Sequence, residues 1–200
     1  KKALEIEPRY LEAHFSMGNA LRDKGDLGAA KGYYQQALKI NPDYAEAHNN
    51  MGLVLQDQGD VKAAICSYKE ALRINPEFIN AYSNMGVALM AESDADGALS
   101  SFKQALKIKP NYAEAHNNMG LVSYTQGDLK AAIESFSKAI KAKSDYADPY
   151  NNMGNVLMDQ GDVNAALNSY KQALKIMPGQ ADAHNNMGLI LFDKGDLEPA

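Results

Sequence analysis

The chain has no tryptophan and one cysteine, Cys66. A lone thiol closes no intramolecular disulfide and builds no cysteine metal cluster. No stretch approaches the ~20 consecutive apolar residues that cross a bilayer, and the first residues show no signal-peptide pattern. A membrane is therefore not an expected partner, and a reducing, cytoplasmic setting is expected. Positive charge is in deficit, with 20 Lys and Arg against 25 Asp and Glu and a net charge of −5. A surface of that sign repels a phosphate backbone, so nucleic acid is not an expected partner either. The sequence also lacks a glycine-rich phosphate loop and a HExxH metal helix. No catalytic residue, metal or cofactor is assigned, and the chain is not expected to be an enzyme.

What it does have is periodicity. Pro8, Pro42, Pro76, Pro110 and Pro178 lie on one 34-residue series, with Ser144 filling its gap. Met17, Met51, Met85, Met119, Met153 and Met187 follow the same spacing, each with a glycine behind it. A period of this length signals stacked repeats, each burying its apolar face only against its neighbours.

Each unit reads as two helices. In "NPDYAEAHNNMGLVLQDQG" (41–59), Asn41, Pro42 and Asp43 are start signals and Gly59 is the stop. Asp60 is the expected N-cap of the next helix, "VKAAICSYKEALRI" (61–74), and Asp26, Asp94, Asp128, Asp162 and Asp196 repeat it. Ala64, Tyr68, Ala71 and Leu72 form an apolar stripe of helical spacing. The glycine after each methionine is expected to let the two helices of a unit approach closely, where a larger side chain would overpack the contact.

The pattern Met51-Gly52, Ala64, Tyr68, Ala71 and Pro76, recurring along the chain, resembles the tetratricopeptide repeat family. The resemblance implies an all-α solenoid, a right-handed superhelix of stacked antiparallel helix pairs, forming one array over 1–200. Full repeats are expected at 11–44, 45–78, 79–112, 113–146 and 147–180, with the end of a preceding repeat at 1–10 and a partial repeat at 181–200. The family's first aromatic is His14, His48, His116 and His184 here, and Tyr82 and Tyr150 in the other copies. Ser93 replaces a turn glycine, Gly97 falls inside a helix and Ser144 replaces proline. The first two of these turn-region changes are expected to leave 93–97 softer than its neighbours. Fragments at both ends suggest a piece of a longer protein, and uncapped ends are expected to permit head-to-tail self-association.

By the same resemblance the first helices line the concave wall. Just before the methionine stand Asn50, Asn84, Asn118, Asn152 and Asn186, and one position earlier Asn49, Asn117, Asn151 and Asn185, with Asn155 three residues beyond Asn152. A carboxamide matches the donor and acceptor of a peptide group, so a ladder of them is expected to hold an extended backbone. Glu46, Glu114, Asp148 and Asp182 are expected to give this groove acidic margins favouring neutral or basic segments. Two plainer readings stand beside it. Exposed acidic residues are often a solvated face, and the copies share recent descent. Residues 45–67 match 113–135 at 18 of 23 positions but 79–101 at only 8 of 23, which points to duplication of a two-repeat pair.

These inner positions carry no lysine or arginine clamp of the kind some co-chaperone relatives use for a terminal carboxylate. The array looks more like the superhelix of O-GlcNAc transferase, without any catalytic domain in these residues. The expected function is a scaffold that binds an extended peptide. The alternatives are a structural spacer or self-stacking rod, and the recognition arm of an O-GlcNAc-transferase-like enzyme.

Overall fold

A computed structural model describes residues 10–193 of the chain. The expected fragment at 1–10, apart from Tyr10, the Asp196 cap, the tail beyond 193 and with them the head-to-tail contact lie outside the described residues. Among the described residues there are eleven α-helices and no strand. The chain divides into two compact units, one ending at Ile108 and the other beginning at Lys109.

The first unit contains α1 (Leu11–Asp23), α2 (Leu27–Ile40), α3 (Ala45–Asp57), α4 (Val61–Ile74), α5 (Ile79–Ala91) and α6 (Ala95–Ile108). The second contains α7 (Ala113–Thr125), α8 (Leu129–Ala142), α9 (Ala147–Asp159), α10 (Val163–Ile176) and α11 (Ala181–Asp193). Within each unit the helices pack as consecutive pairs, and each second helix also meets the first helix of the next pair. First helices touch one another across neighbouring pairs, α1 with α3 and α3 with α5, and α7 with α9 and α9 with α11.

The turn inside each pair is built from the sequence signals. Asp26, Asp60, Asp128 and Asp162 accept the backbone N–H three residues on at 3.1, 3.2, 2.9 and 3.0 Å. Asp94 accepts from Gly97 at 2.9 Å. Before the cap, Gly25, Gly59, Gly127 and Gly161 take φ values of 78–85°. Ser93 occupies the same left-handed place with φ 61°. It forms the same bonds as its glycine counterparts: Ser93 N–H to Met90 O at 3.0 Å and Asp94 N–H to Leu89 O at 2.9 Å. The geometry is thus preserved by a residue with a Cβ in a region that disfavours one.

The start of the first helices differs from the sequence reading. α3 begins at Ala45, and its N-cap Tyr44 makes no side-chain cap bond. Asn41 Oδ1 instead accepts the N–H of Asp43 at 3.1 Å, closing a turn upstream, as Asn75 does for Glu77. Asparagine's readiness to bond the backbone two residues on explains the shift. The substitution of Ser144 for proline leaves its turn closed by Tyr146 N–H to Lys143 O at 3.3 Å.

Packing inside each pair depends on glycine against an aromatic ring. A Cβ built on Gly18 would lie 2.6 Å from Tyr34 Cε1, and one on Gly120 would lie 2.5 Å from Phe136 Cε1. Gly52 faces Tyr68, Gly86 faces Phe102 and Gly154 faces Tyr170 in the same way. All five rings are buried, together with Ala30, Ala64, Ala98, Ala132 and Ala166 around them. Burying such a ring is worth about 1.5–3 kcal/mol.

Two tests follow from this packing. Gly52→Ala improves helix propensity yet is expected to lower stability by about 1–3 kcal/mol, because the methyl meets the Tyr68 ring. Gly32→Ala, in a helix but with nothing within 4 Å of its added Cβ, is expected to raise stability by about 0.5–1 kcal/mol. Urea unfolding of the pair reads both signs. Ser93→Gly is expected to raise stability by about 0.5–1 kcal/mol by relieving the left-handed penalty, and to slow amide exchange over 93–97.

Candidate functional site

Successive residues on a helix are separated by about 100°, so the two asparagine registers point in different directions. Asn49, Asn117 and Asn151 are buried, at 4–6% exposure. They turn toward the neighbouring repeat, and the expectation that they face a partner is corrected here. Asn185, at the same register on α11, is exposed. The second register, Asn50, Asn84, Asn118, Asn152 and Asn186, is half-buried, as is Asn155.

The two registers bond to each other. Asn84 Nδ2 donates to Asn49 Oδ1 at 2.9 Å in the first unit. In the second, Asn152 donates to Asn117 at 3.0 Å and Asn186 to Asn151 at 3.4 Å. A further pair joins Asn50 Nδ2 to Asn19 Oδ1 at 2.8 Å, and its counterpart joins Asn186 to Asn155 at 2.9 Å. The tyrosines beneath complete the network: Tyr34 donates to Asn19 at 2.7 Å and Tyr170 to Asn155 at 2.8 Å. Asn19, Tyr34 and Tyr170 were not among the expected site residues. Their signal was the constant separation of 31 or 35 residues between bonded asparagines.

This staple uses part of each amide. Among the described residues the carbonyl oxygens of Asn84, Asn152 and Asn186 accept no hydrogen bond. Asn118 meets only a 3.4 Å contact from Asn117. Each Nδ2 that donates once to a neighbouring repeat keeps a second hydrogen. The half-exposed amides of Asn84 on α5 and Asn152 on α9 thus retain one donor and one acceptor at one helical register, while Asn186 on α11, which donates twice, retains only its acceptor.

The carboxylates one turn earlier occupy the first turn of their helices: Glu46 on α3, Glu114 on α7, Asp148 on α9 and Asp182 on α11. Negative charge there complements the helix N-terminus, a structural role independent of any partner. Glu46 and Asp182 are exposed, while Glu114 and Asp148 are half-buried. Asp148 accepts from Gln180 Nε2 at 3.1 Å. Burial, followed by the charges of Asp148 and Glu114, pushes the Tyr146 hydroxyl up to about 12.

The histidines belong to the scaffold. His48, His116 and His184 place Nε2 at 2.9, 2.9 and 2.8 Å from the carbonyls of Pro42, Pro110 and Pro178. A carbonyl only accepts, so Nε2 carries the proton in each. His14 packs on Tyr33 with ring centroids 5.9 Å apart. Among the described residues no three His, Cys, Asp or Glu side chains converge on a metal position. No described helix is long and apolar enough to cross a membrane.

A TPR repeat family model matches residues 18–59, 54–93, 89–127, 122–161 and 154–195. The chain belongs to the TPR repeat family. Its fold is the TPR solenoid in each unit. Solved structures agree. MamA is 27% identical with a TM-score of 0.71, over 82% of this chain and 96% of MamA. PilF of Pseudomonas aeruginosa is 21% identical with a TM-score of 0.82, over 93% and 85%. YrrB, described as a TPR protein with an unusual peptide-binding site, is 23% identical with a TM-score of 0.67, over 92% and 95%. No curated protein matches the chain.

The division of labour between the two registers has a direct test. Asn117→Ala leaves the Nδ2 of Asn152 unpaired and is expected to lower stability by about 1 kcal/mol. Asn118→Ala loses only a long contact and gains helix propensity, so it is expected to be neutral or stabilising by about 0.5 kcal/mol. Chemical denaturation of the two neighbours compares them within one helix turn.

Proposed function

We propose that this TPR protein is an interaction scaffold whose half-exposed asparagines hold the backbone of an extended peptide within each unit. The observation that carries this reading is the donor and acceptor left over on Asn84 and Asn152 after their staples are made, with the acceptor of Asn186 beside them. A staple alone would need only the donor. A peptide group offers the complementary pair, and recognition through it is indifferent to most side chains. The asparagine register is also what carries the likeness to the O-GlcNAc transferase array, and it reaches only to this mode of backbone capture. A peptide is the class of ligand named for YrrB. The acidic first-turn residues favour neutral or basic segments through long-range charge. The ligand-selecting positions are Asn50, Asn84, Asn118, Asn152, Asn155 and Asn186.

A structural spacer is the second reading, favoured by the staples themselves, since they account for the asparagines without a ligand. The two readings separate on one probe. An acetylated, amidated nine-residue peptide of alternating serine and alanine with a central norleucine is titrated by calorimetry. A second version carries N-methyl groups at alternate residues. Backbone capture predicts that the unmodified peptide binds and that N-methylation weakens it about tenfold or more, two hydrogen bonds being lost. Binding unaffected by N-methylation rejects backbone capture, and absence of binding leaves the spacer reading in possession.

A further inference from the structure

The second unit contains a recess of about 240 Å³ beside its amide strip. The Asn155–Asn186 pair forms one side of it, with Tyr170 behind. Met158, Ile190 and the exposed Leu189 supply apolar surface, and Tyr124 and Asp159 complete the lining. The Tyr124 hydroxyl donates to Asp159 Oδ2 at 2.7 Å. The other carboxylate oxygen has no hydrogen-bond or ion-pair partner among the described residues. The bond to Asp159 and then burial push the Tyr124 hydroxyl up to about 12. Burial, then the neighbouring Tyr124 and Asp159, does the same for Tyr170, also to about 12. Both phenols are therefore neutral at ordinary pH, and among the described residues of the lining Asp159 is the one charge.

The first unit shows the same parts with a different outcome. Asn50 and Tyr34 both donate to Asn19 there, as Asn186 and Tyr170 do to Asn155. Arg22 stands at the position that Met158 occupies in its repeat, and Asp23 at that of Asp159. The Arg22 guanidinium pairs with Asp23 at 3.3 Å. The first unit supplies its own cation to this carboxylate. The second puts methionine in the cation's place.

The geometry points to the recess as the seat of a lysine side chain from a bound peptide. The lysine stem lies against Met158 and Leu189, and its ammonium reaches the free oxygen of Asp159. A flexible four-carbon stem with a compact charge suits an apolar wall ending in a carboxylate. This inference rests on peptide capture by the strip and adds one point of selectivity to it.

The test compares the norleucine peptide with its central-lysine counterpart, which has the same stem and adds a charge. Both are titrated against the native chain, Asp159→Asn and Met158→Arg, the last reproducing the arginine of the first unit. Circular dichroism confirms folding of each variant. The native chain is expected to prefer lysine by about fivefold, the upper range for a partly exposed ion pair. The preference is expected to vanish in both variants and to shrink at high salt. The Met158 methyl resonance is expected to shift on binding the lysine peptide. Equal binding of the two peptides by the native chain overturns the seat, as does a preference that survives either substitution. If the norleucine peptide still binds and loses affinity on N-methylation, backbone capture stands without the seat. If neither peptide binds, both readings fall.

Discussion

Everything in each repeat is arranged around a glycine backbone lying against an aromatic ring. The contact of Gly52 with Tyr68 sets how closely α3 approaches α4, and the same contact recurs at Gly18, Gly86, Gly120 and Gly154. Once that separation is fixed, only small residues fit at the flanking positions of the second helix, which explains the fully buried Ala64 and Ala71 and their counterparts. The aromatic also has a polar consequence. In three repeats it is tyrosine, and the hydroxyl emerges on the far side of the contact. There it bonds Asn19, Gln56 or Asn155. The core contact and the amide strip are two ends of one side chain.

That connection gives the asparagines two duties. Buried amides bind neighbouring repeats, and half-buried ones both complete those bonds and face outward. A polar group buried without a partner costs roughly 1–3 kcal/mol, so one register cannot be altered without regard to the other. The helix penalty of asparagine is offset by hydrogen bonds made between repeats rather than within the helix. The function proposed above uses the part of each amide that this internal bonding leaves over.

The helix pairs, their aspartate caps and the close glycine contact were legible because each depends on a local spacing or on a strict 34-residue recurrence. The helix starts were less so: Asn41 bonds the chain two residues on, and the cap falls to Tyr44. The direction of Asn49 was misread because it depends on how one repeat rotates against the next, a quantity no single repeat encodes. Neighbouring residues such as Asn49 and Asn50 cannot share a helix face, and that geometric limit alone would have separated them. The pairing of Asn19 with Asn50 was hidden for a different reason: it requires the side chain of Tyr34, which reads as plain core. The first-turn carboxylates remain doubly accounted for, since helix-end electrostatics and ligand charge call for the same residues.

The staples have one further property. Carboxamides neither gain nor lose protons across the range in which proteins work, and a bond between two neutral groups is little affected by salt. Carboxylates such as Asp159 discharge in acid, and their reach shortens as ionic strength rises. The means of joining repeats and the means of attracting a charged guest under the proposed function therefore answer to different solution conditions. An array that captured a guest in the proposed way would release it without loosening its own joints.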